Sequence, residues 1–161
     1  MKRLLPVCIL LLTGFVLMIF SCKRIDPDAS SVLLIGKWKL KQQFSSEGKN
    51  TDFEEFPLSS CEKMTTLEIA IDGSFVEKSY YEDFGTGGEC LKDTEETLGN
   101  WKKEPDGTIN FIYSQKSVLL FTKSDVVLKN GHLVITIAYD DPDLGHETTL
   151  QFIYTKVEEY E

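Results

Sequence analysis

Few side chains in this sequence are of the types that do chemistry, and their spacing narrows what chemistry is open to them. There are two histidines, His132 and His146, and four cysteines, Cys8, Cys22, Cys61 and Cys90. The histidines form no His-x-x-x-His pair, and neither Gly-x-Ser-x-Gly nor a Cys–His couple is present. Nucleophilic and zinc-assisted catalysis therefore lack their usual signatures, and the chain is expected not to be an enzyme and to need no cofactor. Asp140, Asp141, Asp143 and Glu147 place four carboxylates within eight residues. Ca²⁺ takes about six to eight oxygens, but this run lacks EF-hand spacing, and acidic loops at strand ends are usually just solvated. No metal is expected there.

The cysteines sort by position. Cys8 lies in an apolar segment, Leu4 to Phe20, that follows Lys2 and Arg3. The segment is shorter than the roughly 20 residues of a spanning helix and has the basic start of a secretory signal. It ends in Ile19-Phe20-Ser21-Cys22: an apolar residue, then a small one, then cysteine at the step into polar sequence. This motif resembles the lipobox of bacterial lipoproteins. The resemblance implies cleavage before Cys22 and diacylglycerol on its sulfur. The partner would then be a membrane of the cell envelope, expected to be the outer one, anchored to and not spanned. An ordinary secretory signal with a chance cysteine is the alternative. Acyl chains contribute about 0.8 kcal/mol per buried methylene, so two or more anchor stably. Residues 1–21 are thus expected to be a signal peptide, 22–32 the lipidated cysteine and a polar tether, and 33–161 one domain.

An exported chain meets an oxidising compartment. Cys61 and Cys90 are expected to form a disulfide there; a metal pair would want a CxxC or a nearby histidine. The formal charge of −9 becomes −11 once Lys2 and Arg3 leave with the signal. Such a balance argues against nucleic acid, which needs a basic footprint, and against a basic patch for anionic lipid heads. Simple solubility accounts for it.

The elements that must position these residues read as short strands. From Gly36 the chain alternates, with Lys37, Lys39 and Lys41 on one side and Trp38, Leu40, Gln42 and Phe44 on the other. A period of two is the mark of a half-buried strand. Gly99-Asn100-Trp101-Lys102-Lys103 repeats the pattern. Between them, residues 44–60 read as a loop, with Phe53 and Phe56 either packed within it or folded over one end of the core.

Three turns set registers. Asp72-Gly73 with a left-handed glycine in a three-residue loop places Ile69 opposite Phe75 and Leu67 opposite Glu77; a two-residue turn would pair Ile69 with Val76, but the first register keeps Phe75 on the apolar face, although Glu77 fits it poorly. Pro105-Asp106-Gly107 pairs Lys103 with Ile109 and Trp101 with Phe111. Asn130-Gly131 pairs Leu128 with Leu133 and Val126 with Ile135. A glycine-rich loop, Gly85 to Gly88, closes at Cys90; Ser117 to Phe121 reads as a further strand, and Thr148 to Lys156 as the last. Eight or nine strands joined mostly by tight turns, with no helix for a βαβ crossover, predict an all-β fold: an up-and-down antiparallel barrel, which closes its own edges. A two-sheet sandwich is the alternative.

These residues carry a resemblance. Gly36-x-Trp38 is similar to the first-strand Gly-x-Trp of lipocalins. The order of Cys22, Gly36-Lys37-Trp38, Cys61, Asp72-Gly73-Ser74-Phe75, Cys90 and Gly99-Asn100-Trp101 resembles lipocalin-like domain lipoproteins of Gram-negative bacteria. The later threonine-aspartate signature of lipocalins is missing. The resemblance implies a calyx and no particular ligand. The candidate interior comprises Trp38, Leu40, Gln42, Leu67, Ile69, Phe75, Trp101, Phe111, Leu133, Ile135, Phe152 and Tyr154. Those side chains either line a pocket for a small apolar or amphipathic molecule or fill the barrel, leaving an envelope interaction protein that works through its surface. The volume of the interior decides between them.

Overall fold

The computed structural model describes residues 29–48, 51–83, 85, 87–114, 123–143 and 145–158. The signal segment, Cys22 and the expected strand at Ser117 to Phe121 lie outside these residues. A six-residue helix, α1 (Ala29–Leu34), leads into β1 (Gly36–Glu47). There follow β2 (Glu54–Phe56), a 3-10 turn (Glu62–Met64), β3 (Thr66–Ile69), β4 (Ser74–Lys78), β5 (Tyr80–Asp83) and β6 (Glu89–Lys92). The second half runs β7 (Thr97–Lys103), β8 (Ile109–Tyr113), β9 (Lys123–Lys129), β10 (His132–Asp141) and β11 (His146–Lys156).

Eight strands pair antiparallel in the order β1-β3-β4-β7-β8-β9-β10-β11, and β11 returns to β1, so the sheet closes into a barrel. Closure removes the free edges that an open sheet would expose. β2 lies beside the far half of β1, and β5 and β6 form a separate hairpin. The three turn registers come out as the turn chemistry predicts. Ile69 pairs with Phe75, Trp101 with Phe111, and Leu128 with Leu133. Gly73 takes a left-handed φ of 92°, the conformation its turn requires.

The barrel has two unlike ends. At one, the indole N–H of Trp38 donates to the Leu34 carbonyl at 2.9 Å, and that of Trp101 donates to the Ala70 carbonyl at 2.9 Å. Both tryptophans thus satisfy their only polar atom while their rings pack on the core. Leu34 is fully buried, so α1 caps this end, although its first four residues fall in the expected tether. Lys156 reaches over the Trp38 ring and donates to the Leu33 carbonyl at 3.1 Å. In the middle, the Phe75 ring stacks on Phe111 at 4.3 Å and meets the edge of Tyr113 at 5.4 Å. This stack explains Gly99: a Cβ there would overlap the Phe75 ring and the Ile112 carbonyl.

Several expectations need correction. β1 does not end near Phe44; it runs to Glu47 because its far half pairs with β11 and β2. Its alternation breaks at a bulge, since Leu40 faces Tyr154 but Gln42 faces Ile153, leaving Lys41 unpaired. One extra residue turns every later side chain to the other face. Gln42 and Phe44 therefore leave the interior, and Gln43 and Ser45 share the face of Phe152 and Leu150. The Gln42 amide instead donates to Glu55 at 3.2 Å on the outer surface. Phe53 and Phe56 are exposed and cover no end of the core. The glycine-rich stretch is the tip of the β5–β6 hairpin.

Candidate functional site

The Cys61–Cys90 disulfide is formed. Cys61 is completely buried beside the 3-10 turn, while Cys90 sits exposed on β6. The bridge therefore fastens the outlying hairpin to the barrel. Among the described residues no group of three or more acidic, histidine or cysteine side chains is arranged to hold a metal.

The remaining candidate residues divide by where the interior is filled. Trp38, Leu40, Leu67, Ile69, Phe75, Phe111 and Leu133 are buried in one packed cluster, and Trp101 packs against its margin. None of these eight lines the enclosed cavity among the described residues. Ile135, Phe152 and Tyr154 are different: with Glu77, Thr97, Tyr113 and Ile137 they surround a cavity of about 170 Å³. Glu77 stands next to the last residue of β4, Thr97 opens β7 and Tyr113 closes β8. The cavity thus lies toward the end away from the tryptophans. Larger hollows, about 630 Å³ beside Gln42 and Glu55 and about 610 Å³ beside Asp125 and Val127, lie open on the surface.

The polar groups of the cavity are connected. The Tyr154 hydroxyl donates to Glu77 Oε1 at 3.1 Å, and the Tyr113 hydroxyl lies 3.0 Å from Ser124 Oγ. Burial pushes the Glu77 carboxyl above the ordinary glutamate value, and the Tyr154 hydrogen bond offsets part of that. Both phenols are held in their neutral form, first by burial and also by the nearby carboxylate. Glu77 keeps partial exposure and lines the hollow. Glu77 shares the inner face with Leu67, its partner on β3. The sequence signal for it was the turn register that sets a glutamate on an apolar face. Thr97 had no such signal, because β7 was read only from its glycine and tryptophan.

The family described as lipocalin-like domain matches residues 34–141, a stretch running from the capping leucine through β10. The chain belongs to this lipocalin-like family. Among solved structures, it is similar to bovine odorant-binding protein complexed with its natural ligand, with 16% identity, a TM-score of 0.44, and coverage of 80% of this chain and 74% of that one. An odorant-binding protein designated OBP1 shows 15% identity and a TM-score of 0.42, over 85% of this chain and 77% of its own. No curated protein matches the chain. In this lipocalin-like barrel the aromatic stack fills the middle, and the cavity lies toward the end away from the tryptophans.

Proposed function

We propose that this protein is a lipid-anchored binding module of the bacterial cell envelope, without enzymatic activity, whose barrel holds one small amphipathic molecule. The cavity of about 170 Å³ is the observation that carries the reading. Ile135, Ile137 and Phe152 supply an apolar wall, and Glu77, Tyr113 and Tyr154 supply a polar one. Ligand pockets combine these features: mostly apolar lining with a few convergent polar groups. The size restricts the occupant. Drug-sized sites run from about 300 to 1,000 Å³, whereas an apolar cavity of about 150 Å³ takes benzene. A molecule of one ring, or a short branched chain, suits this barrel. The anchor rests on the lipobox-like Ile19-Phe20-Ser21-Cys22, and residues 33–161 would be the tethered domain.

Native mass spectrometry of the full chain, purified from the cells that make it, tests the binding reading. The expected result is a stoichiometric small adduct that is lost when Ile135→Trp fills the hollow. A clean mass, with no change of thermal midpoint on adding small amphipathic molecules, overturns it and favours a barrel that acts through its surface.

A further inference from the structure

We infer that the barrel cavity takes a small apolar molecule bearing an amine, its ammonium group seated on the Glu77 carboxylate. The inference builds on the reading that the barrel binds a ligand. It starts from a misfit. Glu77 stands on the inner face of β4, between Leu67 on the neighbouring strand and the cavity, where the fold would pack better around a leucine. Taking a carboxylate out of water is costly unless it gains a partner charge and hydrogen bonds. The protein supplies only part of that. Tyr154 donates one hydrogen bond, to Oε1. Among the described residues no lysine or arginine forms an ion pair with Glu77; the next residue, Lys78, turns outward to Glu68 at 3.5 Å. A carboxylate has about four acceptor positions, and among the described residues the Tyr154 hydroxyl is the one hydrogen-bond donor to Glu77.

The chemistry that completes this site is a cation with N–H donors. An ammonium group would meet the second carboxylate oxygen and restore the charge balance in a water-poor hollow, where such a pair is strongest. The apolar body of the molecule would lie against Ile135, Ile137 and Phe152. An organic acid would bring like charge to Glu77, and a neutral alcohol would leave the carboxylate without a counter-ion.

Isothermal titration calorimetry of the full-length chain at neutral pH, with benzylamine, benzyl alcohol and benzoate, decides it. Benzylamine is expected to bind about tenfold or more tighter than benzyl alcohol, and benzoate not to bind. Glu77→Gln should bring the amine and the alcohol to equal affinity. Equal affinities in the unaltered protein, or an amine preference that survives Glu77→Gln, overturn the amine inference and leave the binding reading standing. Failure of all three probes to bind overturns both. The comparison within the unaltered protein holds even if the variant does not fold.

Discussion

Tyr154 on the last strand and Glu77 on β4 meet across the inside of the barrel, hydroxyl to carboxylate, at 3.1 Å. The contact joins residues 77 positions apart, so it exists only once the barrel has closed. It is also where the core stops being apolar.

That carboxyl makes stability depend on pH. Burial raises it above the ordinary value of 4.5, so the folded protein holds this proton to higher pH than the unfolded chain does. Its stabilising contribution is complete below about 4.5 and is lost as pH rises through the folded value. Among the described residues, those facing it are Leu67 from β3, Thr97 from β7, Tyr113 from β8 and Tyr154 from β11, none of them cationic. Glu77→Gln is expected to flatten this part of the profile. Urea midpoints of the two proteins at stepped pH check it; parallel curves would refute it.

The disulfide closes a loop between residues 29 positions apart. By the chain-entropy model this contributes about 3.5 kcal/mol. Replacing Cys61 and Cys90 together with alanine should lower the unfolding free energy by roughly that amount, and mass analysis without reductant should find the two cysteines in one linked peptide pair.

Gly99 is held small by the aromatic stack. Gly99→Ala drives a methyl into Phe75 and the Ile112 carbonyl and should cost about 2–3 kcal/mol. Combining it with Phe75→Leu should recover part of that loss, because the ring is one of the two obstacles. Strict additivity of the two substitutions in chemical denaturation would show that they do not share a contact.

Cys22→Ala is expected to move the protein from the membrane fraction to the soluble one. Unchanged membrane association would sink the proposed anchor.

Where the chain turns tightly, it could be read directly. Asp72-Gly73, Pro105-Asp106-Gly107 and Asn130-Gly131 each impose a register through local backbone geometry, and the strands on either side follow. The first of these also placed Glu77 inside, so the most informative residue of the cavity was visible as a conflict between register and hydrophobicity. What stayed hidden depends on distant partners. The bulge at Lys41 arises from pairing with β11, more than a hundred residues later, and nothing in Gln42 itself announces that it faces outward. The β5–β6 hairpin escaped because its glycines read as a loop, β6 is exposed along its whole length and β5 is at most half-buried. The extent of the hollow was illegible for another reason: filling a barrel and lining a pocket draw on the same residue types, and only the fit of Phe75, Phe111 and Tyr113 decides where filling stops.

The capping helix also fixes an orientation. It enters beside Trp38, whereas Glu77, Thr97 and Tyr113 open toward the opposite pole. The seven Cα–Cα steps from Cys22 to Ala29 reach at most about 25 Å. On the proposed anchor, the barrel would stand close to the bilayer with its sealed base toward the lipid and its mouth toward water. A protein so mounted would draw its ligand from the aqueous phase and would be badly placed to lift one out of the membrane beneath it.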